Sequence, residues 1–114
     1  MTHALEDIND LNFDSEVLGS KQPFLLDFSA SWCAPCRAMQ PLLETLSEEQ
    51  RGRLRIGKLD IDDSPAVTAR LGVRGAPTLI LFKDGHELTR RLGFSGKRAL
   101  ADLVRSAECQ QVPA

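Results

Sequence analysis

Hydrophobic residues fall along the chain in short uninterrupted runs and in longer helical repeats. Residues 23–30, PFLLDFSA, form an apolar run suited to a buried strand, and residues 54–61, LRIGKLDI, are typical of a second strand. Strand, helix and strand in this order predict a βαβ unit with parallel strands and a right-handed crossover. The intervening helix, predicted to end near residues 51–52, is indicated by apolar residues at helical spacing, namely Met39, Leu42, Leu43 and Leu46.

The second half of the chain predicts a short helix followed by a hairpin. In SPAVTARLG, Ser64 is placed to act as the N-cap, proline occupies the first helical position, and glycine follows the end. Residues 78–82, TLILF, predict a strand, and the Asp-Gly pair in residues 83–86 is a hairpin signal. Residues 87–92 would then return antiparallel.

These elements predict an α/β fold, with helices on both faces of a mixed sheet. A final amphipathic helix is expected to start near Ser95, and residues 14–18 predict a short helix after a weak first strand. We expect one domain over residues 1–114, with a core at about 5–107 and a polar tail at 108–114. The periodicity does not give the order of the strands.

Composition and charge narrow the classes of function. The 114 residues are 42% apolar and 26% charged with a net charge of −2, which favours neither nucleic acid nor an anionic membrane as a partner. No apolar run approaches the roughly 20 residues that span a bilayer. The polar segment 1–13 lacks the features of a secretory signal, so we expect a cytoplasmic protein. A mature form whose targeting segment has been removed is the alternative.

Two of the three cysteines, Cys33 and Cys36, lie in WCAPC at the start of the predicted first helix. Their spacing places them on one helical face and within disulfide reach. The helix N-terminus favours an anion and therefore the thiolate form of Cys33. A thiolate at this position should make Cys33 the better nucleophile, and since Cys33 is first in the turn we also expect it to be the more exposed cysteine. Cys36 is then placed to resolve a mixed disulfide.

Other uses of the cysteines are less consistent with the sequence. A structural zinc site needs four ligands, and this pair supplies two, while His3, His86 and Cys109 are scattered. A purely structural disulfide would close too small a loop to stabilise the fold much. An odd number of cysteines indicates a reducing compartment, where a close pair is redox-active more often than structural. We interpret Cys109 as an incidental surface thiol, with an intermolecular disulfide or oxidative regulation as the alternative.

Asp27 interrupts an apolar run, where a charged side chain needs a physical reason. From the pattern alone two interpretations stay open. The side chain either points outward from an alternating strand or is a partly buried carboxylate with a raised pKa. In the second case it could accept and return the proton of Cys36. Lys58, on the adjacent predicted strand, is a candidate to hold this carboxylate, although solvent exposure of Lys58 is the simpler interpretation.

The chain resembles the thioredoxin family over about residues 5–107. The resemblance is carried, in order and with compatible spacing, by FDSEVL, LLDFSASWCAPCRAMQPLLETL, KLDIDDSPAVTARLGVRGAPTLILFKDG and RLGFSG. It implies a five-stranded sheet flanked by four helices, with three parallel strands and a terminal antiparallel hairpin. It also implies that Cys33 attacks, that Cys36 resolves, that Asp27 is buried near Lys58, and that Pro77 is cis, although most X–Pro bonds are trans.

The resemblance further implies reduction of disulfides in target proteins, with no bound cofactor beyond the redox-active disulfide itself. Electrons would come from NADPH through a separate thioredoxin reductase, and we expect a monomer. A substrate chain would lie extended and hydrogen-bond to the backbone of Ala76. The implied substrate groove consists of Trp32, Ala34, Pro35, Gly75, Ala76, Pro77, Leu92, Gly93 and Phe94.

Three residues depart from the family pattern. Ala34 stands where many members have glycine, and residues between the cysteines tune the redox potential. Ser29 stands where a tryptophan is common, which predicts looser or different packing behind the cysteines. Ala76 is smaller than the branched residue often found before the cis-proline and would widen the groove.

Two alternative functions remain. The chain could be a disulfide oxidase or isomerase, or it could be a binding or chaperone module that does not use redox chemistry.

Overall fold

The computed structural model describes residues 5–109, with side chains through residue 107. The strands and helices follow one another along the chain in the predicted order. The strands are β1 (Glu6–Ile8), β2 (Phe24–Ser29), β3 (Arg55–Asp60), β4 (Thr78–Lys83) and β5 (His86–Leu92). The helices are α1 (Asp14–Leu18, a short π-helix), α2 (Ala34–Glu49), α3 (Pro65–Arg70) and α4 (Lys97–Cys109).

The five strands form one mixed sheet in the order β1-β3-β2-β4-β5. β1, β3 and β2 run parallel to one another, and β4 is antiparallel to both of its neighbours, β2 and β5. This confirms the predicted fold class and the parallel βαβ unit. β2 is therefore central, between β3 and β4, while β1 and β5 are the two edges.

Both faces of the sheet are covered by helices, because alternate residues of each strand point to opposite faces. On one face α2 and α4 contribute Met39 and Leu103 to a core that contains Leu25 of β2. On the other face the core around Leu26 includes Val67 of α3. Since β2 and β4 are buried on both sides, their sequences are almost uninterrupted apolar runs rather than alternating ones.

The turn between β4 and β5 follows the Asp-Gly signal. Asp84 and Gly85 have φ angles of 52° and 79°, the pair of left-handed conformations that a two-residue type I′ hairpin requires. The predicted return strand is confirmed, and its exposed residues include Glu87 and Arg91. β5 is thus a charged edge of the sheet.

The final helix begins at Lys97 rather than near Ser95 and continues to Cys109. The side chain of Cys109, the whole of His3 and the segment 110–114 lie outside the described part of the chain. Within residues 5–109 no helix is long and apolar enough to cross a membrane.

Ser64 occupies the N-cap position of α3 as predicted, but its side chain does not cap the helix. Its hydroxyl is buried and has no hydrogen-bond partner among the described residues. The free amides of the first turn are satisfied instead by Asp10, whose carboxylate accepts from the backbone N–H groups of Ala66 at 3.1 Å and Val67 at 2.9 Å. The prediction named the right position and the wrong capping group, because this cap is distant in sequence.

Replacing Asp10 by alanine is expected to lower the free energy of unfolding by about 0.5–2 kcal/mol, the range for loss of an N-cap. Ser64→Ala is the matched control, because no hydrogen bond is lost with its hydroxyl. Urea unfolding of the two variants measures the difference. A cost for Ser64→Ala as large as that for Asp10→Ala would contradict the assignment of the cap.

Candidate active site

The cysteine pair lies where β2 passes into α2. β2 ends at Ser29, and the loop that follows leads to Cys33, which is the N-cap of α2. Cys36 lies in the first turn of that helix. The two residues form a disulfide with a Cα–Cα distance of 5.3 Å. Pro35 occupies the first helical turn as predicted, and Pro41 lies inside the helix.

The environment of the two sulfurs differs in two respects from the sequence-based expectation. Cys33 has extended backbone angles (φ −94°, ψ 107°), so it precedes the helical face instead of sharing it with Cys36. Each cysteine is 3% exposed, so the expected greater exposure of Cys33 is wrong for the disulfide form. The cap geometry instead brings the backbone N–H of Cys36 to the Cys33 Sγ, and this N–H donates to the sulfur at 3.2 Å.

Asp27 is buried, with 2% of its surface exposed, so the outward-facing interpretation is wrong. Its Oδ1 atom has no hydrogen-bond partner within residues 5–109. Burial raises the pKa of this carboxyl from 3.8 to about 7, and the positive charge of Lys58 opposes the rise. Asp27 shares a strand face with Leu25, and α2 covers that face.

Lys58 is the register partner of Asp27 on the neighbouring parallel strand. Its side chain is neither fully exposed nor buried. The simple exposed interpretation is therefore incomplete, because the positive charge of half-buried Lys58 stabilises the ionised form of the Asp27 carboxylate.

The residues of the implied groove come from three segments that meet beside the disulfide. The Ala76–Pro77 bond is cis, in agreement with the resemblance. The backbone N–H of Gly93 donates to the Pro77 carbonyl at 2.8 Å, and this bond joins the loop before β4 to the end of β5. Trp32 and Leu92 are 63% and 77% exposed, which is unusual for large apolar side chains.

Asp62 belongs to this site although the sequence analysis did not single it out. Its carboxylate accepts a hydrogen bond from the Trp32 indole N–H at 2.9 Å. In the sequence it is one of several acidic residues in DIDD, and nothing local distinguishes it from a solvated charge. Only the packing of the loop after β3 against the loop after β2 brings the two side chains together.

Metal ligands are not grouped in the described part of the chain. Within it, no set of three or more His, Cys, Asp or Glu side chains is arranged to hold a metal ion. The cysteine pair is instead a disulfide at a helix N-terminus, beside a buried carboxylate. Together with the five-stranded sheet, this arrangement defines a thiol–disulfide oxidoreductase.

Comparison with known proteins gives the same class and narrows it. The family model described as Thioredoxin matches residues 4–106, and the chain belongs to the thioredoxin family. It is 42% identical to the thioredoxin of Haemophilus influenzae over 97 residues, which are 85% of this chain and 91% of that one. It is 35% identical to the thioredoxin of Rickettsia felis over 100 residues, 88% of this chain and 95% of the relative. The chain is accordingly a protein-disulfide reductase that works by dithiol–disulfide exchange through Cys33 and Cys36.

A third relative combines two activities in its name. The chain is 42% identical over 94 residues to the bifunctional thioredoxin reductase/thioredoxin of Mycobacterium leprae. The matched part is 82% of this chain and 20% of that protein.

Proposed function

We propose that Cys33 is the attacking cysteine and Cys36 the resolving one. The Cys33 thiolate attacks one sulfur of a target disulfide, forms a mixed disulfide and releases the first target thiolate. The Cys36 thiolate then attacks the Cys33 sulfur, releases the second target thiolate and forms the Cys33–Cys36 disulfide. Two electrons pass from this chain to the target.

The observation that carries this assignment is the position of Cys33 at the cap of α2. The Cys36 N–H that donates to the Cys33 sulfur would also stabilise a thiolate there, and the positive end of the helix dipole adds to the effect. Cys36 lies further into the helix, so its sulfur receives less of this stabilisation. The cysteine that is more readily ionised is the better candidate for the first attack.

Asp27 is proposed to take the proton of Cys36 during resolution. A carboxyl with a pKa of about 7 is partly ionised near neutral pH, so it can accept a proton and release it again. Lys58 is a positioning residue in this proposal, because its charge favours the ionised form of Asp27 that must act as the base. A carboxylate with an unpartnered buried oxygen is also free to receive a new hydrogen bond.

The groove is proposed to bind the target chain in an extended form along Ala76, in the manner of an added strand. Exposed Trp32 and Leu92 would supply apolar contact on either side of the cysteines. Residues 34 and 35 lie exposed at the start of α2, and Gly75 is half-buried next to the cis bond, so each retains surface that a bound chain can contact. The small Ala76 would leave room for bulky residues beside the target disulfide.

The electron source is proposed to be an NADPH-dependent thioredoxin reductase, and the chain is proposed to act as a monomeric electron carrier in the cytoplasm. The Mycobacterium leprae relative supports the first part, since its name places a reductase and a thioredoxin in one protein. Targets would be proteins with accessible disulfides.

Equilibration with a glutathione redox buffer tests the direction of transfer. We expect a reduction potential close to about −270 mV, the value typical of thioredoxins, which makes the chain a net reductant. A strongly oxidising potential near about −120 mV would instead indicate a disulfide oxidase and contradict the proposal. The readout is the fraction of Cys33–Cys36 disulfide after acid quenching and alkylation, with Cys109→Ser as background to exclude the third thiol.

A further inference from the structure

A cavity of about 580 Å³ opens at the carboxyl ends of β1, β2 and β3, and it shares no residue with the proposed groove. The groove borders β4, whereas the cavity lies on the other side of β2, towards β3 and β1. Crevices at the carboxyl ends of parallel strands are the usual ligand positions in open α/β sheets, and the volume is in the range of about 300–1,000 Å³ for ligand pockets. Its lining includes Asp7, Ser29, Arg37, Lys58, Asp63 and Ser64.

Ser29 lines the cavity with a small side chain. Ser29 follows Leu25 and Asp27 at alternate positions of β2, so it belongs to the face that α2 covers. Arg37 and Gln40 of α2 form the opposite wall. An aromatic side chain at position 29 would occupy this space, and the looser packing expected beside Ser29 corresponds to an open, solvent-accessible volume.

The charge of the lining favours a cation. Its carboxylates, Asp7, Asp60 and Asp63, outnumber its two cations. One cation, Lys58, is already coupled to the Asp27 carboxyl, and the other, Arg37, donates to the Ser31 carbonyl at 2.7 Å.

Two of the carboxylates remain available for a new ion pair. Asp60 accepts from backbone N–H groups of its own loop. Within residues 5–109 the side chains of Asp7 and Asp63 form no hydrogen bond and no close ion pair, and Asp7 lies on β1 as the register partner of Lys58. Both residues are exposed, so an incoming cation can reach them.

Ser64 gives an independent indication of a ligand. Its residue is 1% exposed, its Oγ has no partner among the described residues, and it lines this same cavity. A buried hydroxyl without a partner costs free energy, so a site that satisfies it with a bound donor is favoured.

We propose that this cavity is a second substrate-recognition site, which receives a basic side chain, lysine or arginine, of the target protein. The cation pairs with Asp7 and Asp63, and its N–H groups donate to the Ser64 hydroxyl. The cavity wall includes Ser31, which is close in sequence to Cys33, so a side chain near the target disulfide is within reach. The inference rests on the proposed exchange at Cys33 and adds a selectivity that the groove alone does not provide.

The test uses pairs of disulfide-containing peptides that differ only by lysine or norleucine, with the substituted position moved along the residues that flank the disulfide. For at least one position we expect the lysine peptide to have a kcat/KM about two- to fivefold higher, as for a partly exposed ion pair. Ser29→Trp, which fills the cavity, should bring this ratio close to one, while Ser29→Ala, which keeps it open, should retain the preference.

Asp63→Asn is the second variant, because an exposed substitution does not depend on repacking around residue 29. It should reduce the lysine preference, and added salt should do the same to the unmodified protein. The inference is overturned if no position shows a lysine preference, or if the preference persists in both Ser29→Trp and Asp63→Asn. Cysteine-dependent reduction of the norleucine peptides reports on the exchange itself, so its loss would overturn the proposed function rather than this site.

Discussion

Replacement of Cys33 by serine is expected to abolish disulfide reduction, with a loss on the order of 10³-fold or more. The serine hydroxyl is not ionised at neutral pH and does not attack a disulfide as a thiolate does. Replacement of Cys36 by serine should leave the first attack intact and remove resolution. The second variant should therefore accumulate mixed disulfides with its targets.

The two variants are compared by insulin reduction and by trapping on non-reducing gels, followed by peptide mapping. Cys109→Ser is the matched control, since it removes a thiol outside the pair and should reduce insulin normally. Adducts of the Cys36→Ser variant that map mainly to Cys109 would contradict the assignment. Insulin reduction that is independent of both Cys33 and Cys36 would favour a binding or chaperone role instead.

Removal of the buried carboxylate is expected to stabilise the oxidised protein at alkaline pH. The pKa of Asp27 is raised from 3.8 to about 7, so its protonated form is favoured in the folded state. The raised pKa adds to the free energy of unfolding below about pH 4, and this contribution is lost as the pH rises through about 7. Asp27→Asn cannot ionise, and above pH 8 we expect it to exceed the unmodified protein by on the order of 4 kcal/mol in the free energy of unfolding.

Denaturant unfolding at pH 4 and pH 8.5 measures this difference. The two proteins should differ little at the lower pH, and Asp63→Asn, which removes an exposed carboxylate, should show no comparable change between the two. A stability advantage of Asp27→Asn that is equal at both pH values would indicate a packing effect and contradict the raised pKa.

The same variant should be slower in catalysis. If Asp27 accepts the proton of Cys36, Asp27→Asn should slow resolution near pH 7 by about 10- to 10²-fold, and the slowing should diminish as hydroxide takes over at higher pH. Rapid-quench measurement of mixed-disulfide decay separates this step from the first attack. An unchanged pH–rate profile would leave Asp27 without a role in proton transfer.

Much of the fold was predictable because the strongest signals are local. The apolar runs of β2 and β4, the helical spacing of Met39 and Leu43, and the Asp-Gly turn each depend on a few neighbouring residues. The order of the strands required more, because β3 lies between β1 and β2, and no local periodicity encodes that insertion.

The parts that the sequence did not predict depend on residues distant along the chain. Asp10 caps α3 across more than fifty positions, and Asp62 meets Trp32 only when two loops pack together. The pattern left the burial of Asp27 open, because a strand that is buried on both faces does not alternate between apolar and polar residues. A single charged residue in such a run can therefore be either exposed or buried. The resemblance to a family, and not the residue spacing, predicted that Asp27 is buried.

The charged edge strand has a consequence for how this protein handles polypeptides. A chain that binds extended substrates beside its own sheet must prevent them from pairing with the sheet elsewhere, and it must also avoid pairing with its own copies. β5 carries Arg90, Arg91 and Glu87 along its length, and β1 is only three residues long. Neither edge is therefore a long, uncharged strand with which another chain could easily pair. In the binding mode proposed above, strand addition would thereby be directed to the loop around the cis-proline, beside the Cys33–Cys36 disulfide.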